Sequence, residues 1–200
     1  MVSHKHIWSQ KSALDPRIAS SIVEKAVTAK RGTIYDRNHT VIAQQTQAYT
    51  IVAYLDKGVV DVNGNPNYVK DISSTAKKLK SVLGDEVNEK ALVKIMKSAK
   101  MAGKSQTELG SGTKRIKKSL MKEIKKLKIS GIGFIDAVSR YYPATPYSSN
   151  LIGFAAYDED KQSIEGKLGL ELSLNALLKG KNGKEQYQQT VDGSKLPGTT

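Results

Sequence analysis

The stretch Arg31–Leu55, RGTIYDRNHTVIAQQTQAYTIVAYL, decides the fold class. Thr33-Ile34-Tyr35 and Thr40-Val41-Ile42-Ala43 are strand-like, and Asp36-Arg37-Asn38-His39 between them is a cluster of turn formers. Tyr49–Leu55 adds a third run dense in β-branched and aromatic residues. The pattern predicts a three-stranded antiparallel meander.

Downstream, the Gly/Asn-rich loop VDVNGNPN (60–67) gives way to helical periodicity. Asp71–Leu83 places Ile72, Ala76, Leu79 and Leu83 on one side, and Glu86–Met101 does the same with Val87, Ala91, Ile95 and Ala99. After the connector QTELGSGTK, whose start is read as a short strand, Lys114–Lys128 holds eight basic residues and one acid, Glu123. Ile116, Leu120, Ile124 and Leu127 recur there at three- and four-residue spacing, so this is an amphipathic helix with a lysine-rich wet face. Strand character returns at Ile129–Val138 and again at Lys184–Val191. Leu151–Tyr157 suits either helix or strand, and Glu165–Leu178 places Leu170, Leu174, Leu177 and Leu178 on a helical face. Upstream, Pro16 at a first turn and Ile18, Ile22, Val23 and Ala26 on one face predict a helix over Asp15–Lys30.

The expected fold is therefore α+β. Antiparallel strands from both ends of the chain form an elongated body (31–57 and 129–200), carrying an inserted helical subdomain (58–128), after an N-terminal segment (1–30).

Composition narrows the chemistry. The chain has 200 residues and a net charge of +13, from 32 Lys and Arg against 19 Asp and Glu. Zero Cys excludes thiolate metal sites and a Cys nucleophile, and three His (His4, His6, His39) leave little for a His-built site, so no cofactor or metal is expected. Asp158-Glu159-Asp160 is acidic but lacks the spacing of a calcium loop. The basic balance suits an anionic polymer or nucleic acid. Stacking aromatics and nucleic-acid-binding motifs are absent near the lysine helix, so nucleic acid is not expected. The Ser/Lys pattern S-x-x-K occurs at Ser74–Lys77, Ser111–Lys114 and Ser119–Lys122, and S-x-N at Ser148–Asn150, but no Lys-Ser/Thr-Gly run completes the set. With lysine this abundant, chance matches are expected, and no catalytic residue is assigned.

Three stretches in order carry a resemblance. Arg31-Gly32-Thr33-Ile34-Tyr35-Asp36-Arg37-Asn38 with Thr40–Ala43 resembles an R-G-x-I-x-D-R-N-G-x-x-L-A signature. Arg140-Tyr141-Tyr142-Pro143 resembles R-x-Y-P. Gly166-Lys167-Leu168-Gly169-Leu170-Glu171, then Leu178, Gly180 and Gly183, resembles G-x-x-G-x-E…L-x-G-x-x-G, with Asp192-Gly193 at the acidic turn that follows. Together they resemble the N-terminal, non-catalytic module of class B penicillin-binding proteins of the Gram-positive type. One departure is His39, which stands where the signature has Gly; the positive φ that Gly supplies is expected at Asn38 or in a different turn.

The resemblance implies a pedestal, or dimerisation, module on the extracellular face of the cytoplasmic membrane. A membrane anchor is expected before it and a peptidoglycan D,D-transpeptidase domain, acylated by β-lactams, after it. It implies as partners that transpeptidase domain and membrane-embedded cell-wall, divisome or elongasome proteins, with anionic lipid or teichoic acid facing the lysines. The piece itself is expected to be soluble. The structural motif is expected to reside in Arg31, Gly32, Asp36, Arg37, Arg140, Tyr142, Pro143, Gly166, Gly169 and Glu171. Because a guanidinium forms a planar fork, Glu171 is expected to pair with at least one of Arg31, Arg37 and Arg140.

Overall fold

The computed structural model describes residues 21–143 and 149–189. The chain divides into two compact units, residues 30–180 and a smaller one from residues 1–29 with 181–200.

In the smaller unit, β1 (Ser21–Val27) and β8 (Gly183–Gln189) form an antiparallel ribbon, with Val23 opposite Tyr187. The helix expected over 15–30 is thus a strand across 21–27, and its first six residues lie outside the described ones. Helical spacing at Ile18, Ile22 and Ala26 misled because the pairing partner is some 160 residues away. The β-branched Ile22 and Val23 serve a ladder equally well.

In the larger unit, β2 (Ile34–Tyr35) turns back into β3 (Val41–Tyr54). The expected meander is a correction: Val41–Ala43 and Tyr49–Tyr54 belong to one 14-residue strand. The intervening Gln44-Gln45-Thr46-Gln47 holds no turn former, and its backbone is used by β5 (Ile132–Tyr141), whose register runs from Gln44 opposite Tyr141 to Ala53 opposite Ile132. β4 (Gln106–Glu108) pairs with the far end of β3. The turn itself is held by Asp36, whose carboxylate accepts from Asn38 N–H and Thr40 N–H, both at 2.8 Å. His39 takes φ 61° itself, so Asn38 does not substitute for the expected glycine.

The insertion packs α1 (Ile72–Leu83), α2 (Glu89–Met101) and α3 (Lys118–Lys126) against β3. Asp71 caps α1 and Asn88 caps α2, each accepting a first-turn N–H. Ala76, Leu79 and Leu83 bury the expected face of α1. On α2 the buried stripe is Leu92, Met96 and Ala99, with Ala91 exposed; Val87 is buried ahead of the helix, which begins three residues later than expected. On α3 Met121 and Ile124 are buried and Leu127 is 37% exposed; Ile116 is buried outside the helix, bridged to Tyr49. These residues join Tyr49, Ile51 and Ala53 of β3, and Leu55 just after it, in one apolar core.

Leu151–Tyr157 proves to be both elements, a turn of helix α4 (Ser149–Ile152) and strand β6 (Ala155–Asp158), which pairs with β7 (Ser163–Gly166). Glu165–Leu178 is no single helix. It is the end of β7 and two short helices, α5 (Gly169–Ser173) and α6 (Asn175–Leu178). Leu174 and Leu177 are 42% and 78% exposed, and the inward face is instead Glu171, Asn175 and Leu178. A buried carboxylate with two arginines on it outweighs the leucine stripe in orienting this segment.

Candidate functional site

The motif residues converge on Glu171. Its side chain is 0% exposed, and those of Arg31 and Arg140 are 2% and 1% exposed. Arg31 Nε and Nη2 both meet Oε2, at 2.8 and 2.7 Å. Arg140 Nε donates to the other oxygen, Oε1, at 2.7 Å. The carboxylate is therefore shared between two guanidiniums, rather than gripped by the fork of one.

Arg31 uses its remaining donors on the chain around it. Nη1 donates to Ile164 C=O (3.1 Å) and Asn175 Oδ1 (2.8 Å), and Nη2 to the Glu171 carbonyl (2.8 Å). Its backbone N–H donates to Gln45 Oε1 at 2.7 Å, which ties β3 to the cluster. Arg140, on β5, reaches Gly32 C=O at 2.8 Å, while its buried Nη2 has no hydrogen-bond partner among the described residues. Tyr142 accepts from Ala155 N–H (2.8 Å) and its hydroxyl lies 3.4 Å from Glu171 Oε1; burial, reinforced by the nearby carboxylate, raises its phenol above the ordinary value.

Two glycines make this geometry possible. A β-carbon on Gly166 would stand on the Glu171 carbonyl oxygen, and Gly169 takes φ 61° against the Gly153 backbone. Gly166 N–H donates to Asn175 Oδ1 at 2.8 Å. Gly32, the other motif glycine, donates its N–H to Leu178 C=O at 2.7 Å.

Of the expected motif residues, Arg31, Gly32, Arg140, Tyr142, Gly166, Gly169 and Glu171 meet here. Asp36 holds the β2–β3 turn, where the Thr40 N–H above all lowers its carboxyl below the ordinary range. Arg37 is exposed in that turn and does not reach Glu171, and Pro143 is exposed at the end of β5. Asp192-Gly193 lies outside the described residues. Sequence reading missed Asn175, whose amide bridges Arg31, Gly166 and, at 2.6 Å, Glu165. Its spacing four residues after Glu171 was the available signal.

The Ser/Lys pairs sit elsewhere. Ser74 and Lys77 on α1, and Ser119 and Lys122 on α3, are exposed. Lys114 is engaged by Glu108 (2.9 Å) and Glu159 (3.4 Å), and the Glu108 contact above all raises its pKa, the wrong direction for a general base. Two members of the acidic run are likewise engaged by cations: Glu159 meets Arg115 at 3.0 Å, and Asp158 meets Lys167 at 3.3 Å. Ser148 of the S-x-N lies outside the described residues. No group of metal-ligating side chains occurs among the described residues.

Comparison with known proteins gives a consistent result. The family described as Penicillin-binding Protein dimerisation domain matches residues 26–199. Stage V sporulation protein D of Bacillus subtilis is 29% identical over 168 residues, 84% of this chain and 23% of that protein. Peptidoglycan D,D-transpeptidase FtsI of Buchnera aphidicola is 39% identical over 72 residues, 36% of this chain and 12% of that protein. Penicillin Binding Protein 2X from Streptococcus thermophilus superposes with a TM-score of 0.54 at 32% identity, over 88% of this chain and 27% of that one. PBP2 of Helicobacter pylori, solved in complex with MreC, gives 0.54 at 18% identity over 88% of this chain and 33% of that one, a likeness of fold. The chain thus spans between 12% and 33% of the length of these relatives.

Proposed function

Because the chain belongs to the penicillin-binding protein dimerisation-domain family, as a non-catalytic module of the class B type, we propose that it is a pedestal. It positions a peptidoglycan D,D-transpeptidase domain on the outer face of the membrane, in a protein of the Gram-positive kind that is acylated by β-lactams. The names of the relatives support the parent's activity. Membrane-embedded cell-wall synthesis proteins are its proposed neighbours, a reading supported by the fold shared with a protein solved with MreC. Among the described residues no helix is long and apolar enough to cross a membrane; a membrane anchor for the parent is proposed on the family likeness alone. Within the module, residues 58–128 are proposed as a helical insertion into a body drawn from the chain on either side.

The carrying observation is the buried Arg31–Glu171–Arg140 cluster, which ties β5 and α5 to the segment after β1 without a solvent-facing reactive group. A pedestal needs rigidity of this kind, since a loose module transmits no position. The test is made in the full-length protein, by deleting this module while keeping anchor and transpeptidase domain. Penicillin acylation should persist in vitro while growth fails; growth without the module would overturn the proposal.

A second reading, contact with anionic lipid or teichoic acid, draws on the exposed lysines of α3. Such binding to anionic vesicles should weaken with salt, and salt-insensitive binding contradicts it.

A further inference from the structure

Between residues 58 and 128 there are 17 Lys and Arg against 7 Asp and Glu, so the helical insertion carries +10 of the chain's +13. On α3 and just beyond it, Lys117, Lys118, Lys122, Lys125, Lys126 and Lys128 form no ion pair with any described residue. A cleft of ≈ 340 Å³ opens between the C-terminal end of α3 and the start of β5. Ile124, Ile129, Ile132 and Phe134 give it an apolar floor on the core side, and Tyr54 and Asn67 add polar atoms to the lining. Lys125 and Lys128 stand in its wall, Lys125 with its ammonium 5.6 Å from the centre of the Phe134 ring.

We propose that this cleft is a docking site for an acidic peptide segment that inserts one large apolar side chain, aromatic above all, between flanking carboxylates. This reading is independent of the pedestal role. The cleft, unlike the exposed lysine face outside it, selects against polyanions such as teichoic acid, polyphosphate or nucleic acid backbone, which have nothing apolar to place on its floor. The volume lies at the low end of small-ligand sites, about 300–1,000 Å³. It has room for a ring and its neighbours but not for the length of a lipid chain. Lys125, already lying over Phe134, can pair with a carboxylate while its stem covers the incoming ring. The +10 field of the insertion would draw an acidic segment in, with charge setting the encounter rate and the apolar anchor the residence time.

The test uses the 200-residue chain and fluorescein-labelled synthetic peptides read by anisotropy. One peptide carries a central Trp among Asp and Glu, and its twin carries Ala in that place. The Trp peptide should bind at least tenfold more tightly than the Ala peptide. Lys125→Glu with Lys128→Glu should weaken it at least tenfold, whereas Lys77→Glu with Lys97→Glu, the same charge change elsewhere on the insertion, should weaken it less than threefold. All four lysines are exposed, and circular dichroism checks that each variant is folded. Equal binding of the two peptides would overturn the proposal. So would equal loss in both double variants, or tighter binding to polyphosphate or to phosphatidylglycerol vesicles than to the Trp peptide.

Discussion

Arg31 places two nitrogens, Nε at 2.8 Å and Nη2 at 2.7 Å, on a single oxygen of Glu171, across 140 residues of sequence. Both side chains are almost fully out of water, and Arg140 takes the second oxygen, so two cations share one anion. Buried ions are expensive unless every donor and acceptor is met. Arg31 meets that condition; Arg140, with Nη2 unpaired, does not.

That asymmetry ranks the two arginines. A lysine has three donors on one nitrogen and cannot span the contacts Arg31 makes to Ile164, Glu171 and Asn175. Arg31→Lys should cost about 3 kcal/mol in urea denaturation, and Arg140→Lys about half of that. Equal losses would show the geometry of Arg31 to be immaterial.

Gly166 is required by space. Gly166→Ala would drive a methyl into the backbone of α5 and should cost about 3 kcal/mol. Gly183, with nothing among the described residues within 4 Å of its would-be β-carbon, is the control. Gly183→Ala should stay within about 0.5 kcal/mol of the parent by the same denaturation.

His39 holds φ 61°, a conformation costing a residue with a β-carbon about 1–2 kcal/mol. His39→Gly should leave stability equal or raise it by up to about 1 kcal/mol, the gain being offset by a freer unfolded chain. His39→Val should lower the melting temperature, because a β-branched residue tolerates that φ poorly. A higher melting temperature for the valine variant would show that the turn is not under this constraint.

Acid should weaken the fold. Glu165 is held below its ordinary value of 4.5 chiefly by the Asn175 amide, and Asp158 below 3.8 chiefly by the Lys161 N–H. Asp36 behaves alike. The unfolded chain then binds protons that the folded chain refuses, so this stability is complete above about pH 4.5 and disappears as pH falls through the folded values. Tyr142 acts at the other end, its contribution fading above pH 10. Melting temperature should be flat between pH 5 and 7 and fall below about 4.5, less steeply in Glu165→Gln. A rise on acidification would reverse the sign of these shifts.

What could be read in the sequence was local. Asp36 followed by Asn38 and Thr40 marks its turn because all three lie within one hydrogen-bonded loop. Ala76, Leu79 and Leu83 mark the face of α1 because a helix records burial in its own period. The pairing of Glu171 with arginines was legible through residue chemistry and family likeness, not through spacing. Ser21–Val27 was not, since its strand exists only by virtue of β8. The outward leucines of α5 and α6 show the same limit: their orientation is set by Arg31, Arg140 and Asn175 from elsewhere in the fold. Asn175 carries only the weak signal of its four-residue spacing from Glu171, and its amide contacts with Arg31 and Gly166 cannot be read from that.

The most direct test of a lattice centred on Glu171 is urea denaturation of Glu171→Gln, which keeps shape and removes charge. Both arginines would be left buried without their anion, so a loss of about 3–5 kcal/mol is expected. The same variant with Arg140→Met should regain part of that loss, because one stranded cation is gone. A Glu171→Gln midpoint indistinguishable from the parent would contradict the claim that this carboxylate holds the module together.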